Sequence, residues 1–309
     1  MLKTPVLLLI FNRPDHTRRV LDSIRKAKPE RLYIASDGPR KNNKEDERLC
    51  AATKEVVEHI DWPCDVKRLY RDENMSCDYA IIDAVNWFFS MEDEGIILED
   101  DCIPSVSFFQ YCSLLLQAYR NNPGIAMISG TLFYNKELTS KHNFYISDFM
   151  YTWGFATWKR VWTDIDFYRK IDYKIAEQCL MKRYNNHALY VESHLRILRD
   201  AEKEPIPYWD YSFFIHNLCK GMSGIIPNVN LVSNIGNSGT HFIDSKSLLL
   251  NTPISELTIK ENFLSTVGTL TESHKKKIMK AIVQKIYPVG IKNKLHLLKK
   301  KLSSMLKLW

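Results

Sequence analysis

Over its first hundred residues the chain alternates short, almost wholly apolar runs with longer segments whose apolar residues recur every three or four positions. One of the four strands, Asp65–Leu69 (DVKRL), is mostly charged; the apolar runs are Pro5–Phe11 (PVLLLIF), Leu32–Ala35 and Ile96–Leu98. Each is bounded by polar turns, as strands buried on both faces are. Between them lie helical stripes. The first has Val20, Leu21 and Ile24 inward and Arg18, Arg19, Arg25 and Lys26 outward, after a turn at Asn12-Arg13-Pro14 where Asp15 can cap. The second runs roughly from Glu45 to Ile60, and the third carries Ile81, Ile82, Val85, Trp87 and Phe88. Such a βαβαβαβ order implies a mostly parallel, Rossmann-like sheet with right-handed crossovers, so the fold class is α/β.

Three of these strands run into polar or acidic turns. The fourth is the most telling: Gly95-Ile96-Ile97-Leu98 passes directly into Glu99-Asp100-Asp101, with Pro104 close behind and a helical run from Phe108 to Tyr119 after it. Open α/β sheets bind ligands in the crevice beyond the carboxyl ends of their strands. Three adjacent acids there repel one another unless a positive group joins them. A hard divalent cation, Mn²⁺ or Mg²⁺, suits an oxygen-only cluster and would bring the phosphates of a nucleotide with it. A plain solvated acidic turn is the simpler alternative. No GxGxxG follows the first strand and no glycine-rich loop ends in Lys-Ser/Thr. Phosphate handling therefore falls to a metal and to side chains such as Arg13.

The second half is less regular. Ile125–Gly130 reads as a further strand and Asn135–Asn143 as a polar loop. The stretch Phe149–Trp162 is dense in aromatics, which suits a core; one or two exposed rings would also make a sugar-stacking platform. The candidates for contact with an acceptor are Trp153, Trp158 and, later, Trp209. Asp210 lies near the start of a helix that runs through Phe213, Phe214 and Leu218, where a carboxylate serves as an N-cap. Ile225–Pro227 and Asn230–Val232 suggest a short hairpin or edge strand. The loop Ser233–His241 is polar and glycine-bearing, able to close over a phosphate or simply to lie on the surface.

Seven scattered cysteines, an odd number with no CxxC pair, point to reduced thiols in a cytosolic protein. The charge is uneven. From His274 to Trp309 there are eleven lysines and no acidic residue, so against a total of +7 the rest of the chain carries −4. Apolar residues at Ile278, Ile282, Val283 and Ile286, then at Leu295, Leu298, Leu302, Met305 and Leu306, give this segment two amphipathic helices broken at Pro288–Gly290. A basic amphipathic segment suits an anionic membrane surface; packing of one apolar face on the body is the alternative. The absence of arginine and of aromatic-basic interleaving argues against nucleic acid. The expected organisation is a domain over 1–265, divided near 104 into nucleotide-binding and acceptor halves, and a basic helical tail over 266–309. The expected location is the cytoplasm, peripheral at the inner membrane face.

The motifs PVLLLIFNRP, IASDGPR, EGIILEDDCIPSVSFFQYC, TWGFATWKRVW, WDYSF and IPNVNLVSNIGNSGTH, in this order, resemble the GT-A-fold glycosyltransferases of surface-polysaccharide loci. They resemble more distantly the N-acetylglucosaminyltransferase that starts complex N-glycan branching. The likeness covers Pro5 to His241. It implies that Asp101 binds the metal and Asp100 sits near the ribose or donor sugar. By the same likeness Asp37 reads the uracil edge, Arg13 lies by the nucleotide, Asp210 is the general base, and Ser238, Gly239 and His241 belong to a loop that folds over the diphosphate. The implied activity is metal-dependent, inverting transfer from a UDP-sugar to a saccharide or lipid-linked saccharide acceptor. One departure stands out: where such enzymes read Asn-Leu-Gly-Cys-Lys, this chain reads Asn74-Met75-Ser76-Cys77-Asp78. Two rival expectations are a sugar-phosphate nucleotidyltransferase, which would carry glycines and basic residues after the first strand, and a non-catalytic saccharide-binding protein on the same fold.

Overall fold

The computed structural model describes residues 1–134, 138, 141–184, 187–201, 207–236 and 250–286. The first part of the chain folds as β1 (Val6–Ile10), α1 (Pro14–Ala27), β2 (Arg31–Ser36), α2 (Lys44–Val56), β3 (Asp65–Tyr70), α3 (Cys77–Met91) and β4 (Glu94–Glu99). There follow β5 (Cys102–Pro104), α4 (Val106–Tyr119), β6 (Ile125–Ser129), β7 (Phe144–Ser147), β8 (Phe155–Trp158) and the short α5 (Lys159–Trp162). The chain continues through α6 (Tyr173–Tyr184), α7 (Ala188–Ala201), α8 (Trp209–Cys219), β9 (Ser223–Pro227), β10 (Val232–Asn234), β11 (Val267–Thr269) and α9 (Glu272–Ile286).

Among the described residues, nine strands form one sheet in the order β11-β7-β9-β6-β8-β4-β1-β2-β3, and β10 pairs with β5 beside it. Five of the eight pairings in the large sheet are parallel, including all three among β1 to β4. This is the mixed α/β architecture with a mostly parallel sheet that the alternation predicts. The chain travels from β1 outward to β2 and β3, then returns to place β4 on the other flank of β1. Crevices form beyond the strand ends where the direction of travel reverses, here between β1 and β4.

Local chemistry fixes these pieces. α1 opens with Pro14, whose missing N–H costs nothing at a first helical position, and closes at Lys28 with a left-handed φ of 49°. Val20, Leu21 and Ile24 are buried as their spacing requires. α2 is capped by Asn43, whose side chain accepts the Asp46 amide at 3.1 Å. Gly95 lets α3 lie close on β4: a Cβ there would come 2.3 Å from the Phe88 ring. Ile96, Ile97 and Leu98 are buried, each worth about 1.5–3 kcal/mol, so the acids that follow hang on a rigid strand.

Several expectations are corrected. β9 is an interior strand between β7 and β6, not part of a hairpin, because Gly224 and Ile225 pair on both edges. β8 turns part of the aromatic stretch into a strand antiparallel to both β4 and β6. The boundary after residue 265 does not hold: β11 adds to the sheet edge, and Ile278, Met279, Ile282 and Val283 of α9 pack into the core beside α7. The apolar face of this first tail helix is therefore spent on the body and not on a membrane; residues 287–309 lie outside the described residues. Two of the seven cysteines are not reduced: Cys179 and Cys219 are disulfide-bonded, 5.3 Å apart at Cα, because α6 and α8 pack side by side. The second helix ends at Val56 and not near Ile60. Among the described residues, no helix is long and apolar enough to cross a membrane.

Candidate functional site

The ends of β1, β2 and β4 lie side by side, and the turns beyond them meet. Asp100 and Asp101 follow β4; Arg13 follows β1 and reaches both. Its Nη1 donates to Asp101 Oδ2 at 2.8 Å and stands 3.5 Å from Asp100 Oδ1. The Phe11 amide donates to Asp100 Oδ2 at 3.3 Å. Asp101 is held on its other side by Asn234, whose Nδ2 donates to Oδ1 at 3.2 Å. Asn234 also accepts the Gly236 amide at 2.8 Å, and the Ile235 amide donates to the Asp101 carbonyl at 2.8 Å. The antiparallel register of β10 on β5 puts Asn234 opposite Cys102 and so brings this segment onto the acids. Gly236 lies so close that a Cβ would come 2.2 Å from Asp101 Oδ2.

Charge is crowded here. Burial first, then the charge of Asp101, pushes the Asp100 carboxyl up to about 7, while Arg13 and the Phe11 amide pull it down. Glu99 is pushed well above the carboxylate range by burial and then by Asp101, Asp100 and Asp210. Burial works against the Arg13 charge, but Asp100 and Asp101 outweigh it and hold the guanidinium above its ordinary range. Glu99, Asp100 and Asp101 thus all act on the Arg13 guanidinium, and Asp210 adds a further carboxyl close by. A hard divalent cation fits such a donor set, since oxygen ligands with surplus negative charge are what it takes. Among the described residues no three His, Cys, Asp or Glu close around a common point. The chain would therefore supply one or two carboxylates, with phosphate oxygens and water completing the shell.

Asp37, after β2, is buried. Its Oδ1 accepts the Gly38 and Met75 amides at 2.9 and 3.0 Å, and its Oδ2 accepts Asn74 Nδ2 at 2.8 Å. Burial raises its carboxyl, with the two amides opposing. Asp37 thus ties the end of β2 to the loop before α3. In that loop Ser76 takes φ 70° and ψ 150°, a conformation that suits glycine. Gly38 is also required by space, since a Cβ would meet the Glu73 backbone at 2.4 Å.

Asp210 stands in the first turn of α8 but is not its N-cap, which is Tyr208; its Oδ1 accepts the Tyr211 amide at 2.8 Å. It is close enough to raise both Glu99 and the Cys77 thiol. Helix N-termini ordinarily favour thiolates. At Cys77, desolvation and the charges of Glu99, Asp78, Asp210 and Asp100 win, and the thiol is held protonated. Cys102 is buried, and its thiol donates to Asp101 Oδ1 at 3.5 Å.

The sequence-based site is thus brought together for Arg13, Asp37, Asp100 and Asp101, with Asp210 facing the acids from α8. Ser238, Gly239 and His241 lie outside the described residues. Two of the three tryptophans are not platforms. Trp158 is buried, its indole donates to the Leu116 carbonyl at 3.2 Å, and Arg160 covers its ring. Trp209 is buried between Phe155 and Trp162. Trp153 is half-buried against the edge of Phe133. Sequence reasoning missed Asn234, Gly236 and Asn74, whose roles depend on the pairing of β10 with β5 and on the Asp37 loop. The only signal was their place in the polar runs Asn74–Ser76 and Ser233–His241.

No protein-family model matches the chain, and no curated protein matches it. Among solved structures, the chain is similar to HddC from Yersinia pseudotuberculosis, at 8% identity and a TM-score of 0.31 over 52% of this chain and 79% of that one. It is similar to the same protein complexed with GMP-PN, at 8% and 0.32 over the same shares. It is also similar to 4-diphosphocytidyl-2C-methyl-D-erythritolsynthase from Anaerococcus prevotii, at 11% and 0.32 over 52% of this chain and 74% of that one. At these scores the likeness carries no argument about chemistry, which rests on the residues described above.

Proposed function

We propose that the chain is a metal-dependent glycosyltransferase of GT-A type that transfers a sugar from a UDP-sugar to a saccharide hydroxyl with inversion. The observation that carries this is the meeting of the turns beyond β1 and β4, where Asp100 and Asp101 pair with Arg13 and Asp210 stands nearby on a separate helix. In this reading Asp101, with Asp100 beside it, holds Mn²⁺ or Mg²⁺. When bound, the ion supplies Lewis-acid stabilisation of the departing diphosphate. Arg13 is freed to meet phosphate oxygens, a group its planar fork suits. The wall made by Asp37, Gly38 and Asn74 takes the base. Asp210 accepts the proton of the acceptor hydroxyl as the new bond forms. Its Oδ1 is held by the Tyr211 amide at 2.8 Å, so the carboxylate approaches in a fixed orientation. Of the three candidate tryptophans, Trp153 is the one with surface to offer a sugar. A lipid-linked acceptor at a membrane rests on the sequence of 287–309 alone.

A nucleotidyltransferase would need a loop after β1 to wrap a triphosphate. Here α1 begins at Pro14, leaving Phe11–Arg13 and no glycine. The direct test is calorimetric titration of UDP with and without Mn²⁺ into wild type and Asp101→Ala. Metal-dependent binding that is lost in the variant is expected; no binding with Mn²⁺ present would overturn the assignment.

A further inference from the structure

Asp78 carries a carboxylate that the proposed chemistry does not use, and it is 3% exposed. It lies in the first turn of α3, yet its Oδ1 accepts the backbone amide of Trp209 at 3.0 Å. Trp209 is the first residue of α8, and its amide belongs to the group that no intrahelical carbonyl can satisfy. The N-cap residue Tyr208 makes no side-chain cap bond, so an acceptor for that amide comes from 131 residues away. The N-termini of α3 and α8 thus meet at one carboxylate. The Trp209 ring is held at the same point between Phe155 and Trp162. The next residue is Asp210.

We propose that Asp78 is a positioning residue: by anchoring the first amide of α8 it fixes where the Asp210 carboxylate stands relative to Glu99, Asp100 and Asp101. This rests on the reading of Asp210 as the base. It also gives a physical meaning to an acid at this position. A lysine has no acceptor to offer the Trp209 amide.

The test compares Asp78→Ala, which removes the acceptor, with Asp78→Asn, which keeps a carbonyl oxygen in the same place. Four quantities are read: hydrogen exchange at the amides of 209–212, UDP affinity in Mn²⁺, and kcat and KM for UDP release from UDP-glucose, UDP-galactose and UDP-N-acetylglucosamine. In Asp78→Ala, exchange in the first turn of α8 should rise at least tenfold and kcat fall at least tenfold. UDP affinity and donor KM should stay within about twofold. Asp78→Asn should recover all of these to within about threefold of wild type. The proposal is overturned if Asp78→Asn is as impaired as Asp78→Ala, if Asp78→Ala leaves kcat unchanged, or if UDP affinity falls in step with kcat. Should Asp78→Ala not fold, Asp78→Glu carries the same comparison, because it keeps the charge and displaces the acceptor by one methylene. If wild type binds no UDP, the functional reading fails, while exchange at 209–212 still decides whether Asp78 anchors α8.

Discussion

Replacing Asp100 by Asn should stabilise the metal-free protein at pH 8 and leave it nearly unchanged at pH 4.5. Burial and the Asp101 charge raise the Asp100 carboxyl from its ordinary 3.8 to about 7. The folded state therefore binds a proton more tightly than the unfolded state. Between these two values it holds more protons, so stability falls as pH rises from about 4 to about 7 and is flat above. At about 1.4 kcal/mol per tenfold change in proton affinity, the ceiling is about 4 kcal/mol. Glu99 and Asp101 share the same field, which lowers the figure expected for Asp100 alone to about 2–4 kcal/mol. Asparagine keeps an oxygen for the Phe11 amide and carries no charge. Urea denaturation in EDTA at both pH values measures the difference. Asp100→Asn should lead by about 2–4 kcal/mol at pH 8 and by less than about 0.5 kcal/mol at pH 4.5. A variant no more stable than wild type at pH 8, or an advantage that grows toward acid, would refute the account of crowded charge.

Two further substitutions probe the walls of the crevice. Ser76 is exposed, makes no side-chain cap bond and occupies φ 70°, ψ 150°. Relief of strain of about 1–3 kcal/mol, less the entropy that glycine adds to the unfolded chain, should make Ser76→Gly more stable by about 1 kcal/mol in urea; a loss of stability would show that the loop is not strained. Gly236→Ala would drive a methyl to within 2.2 Å of Asp101 Oδ2. The carboxylate must turn away from Arg13, so metal-dependent UDP binding should weaken at least tenfold with circular dichroism unchanged; unaltered calorimetry would separate Gly236 from the site.

Much of the first hundred residues was legible because burial on both faces leaves an unmistakable run. Val6–Ile10 and Ile96–Leu98 are apolar without interruption, and the acids that end the latter are where a parallel sheet opens to solvent. The Arg13 contact with Asp100 and Asp101 was foreshadowed by their places at adjacent strand ends. The second half was harder for a physical reason. An antiparallel strand such as β8, buried within a dense aromatic segment, has no period to distinguish it from core filling, which also hid the burial of Trp158. Trp209 was misjudged in the same way, since an aromatic next to a carboxylate at a helix start reads alike whether it faces a sugar or Phe155. The contacts of Asn234 with Asp101 and of Asp78 with Trp209 span more than a hundred residues, and such pairings leave no local trace. Nor does spacing show that α6 and α8 bring Cys179 to Cys219.

The central claim concerns which bond the crevice breaks. The most direct measurement is NMR of the chain with Mn²⁺ and UDP-sugars, in the presence and absence of pyrophosphate, for wild type and Asp210→Asn. Glycosyl transfer predicts UDP as the nucleotide product, a released or transferred sugar of inverted anomeric configuration, and loss of turnover in Asp210→Asn with UDP binding retained. UTP and a sugar 1-phosphate appearing only when pyrophosphate is added would contradict it and assign the crevice to nucleotidyl transfer.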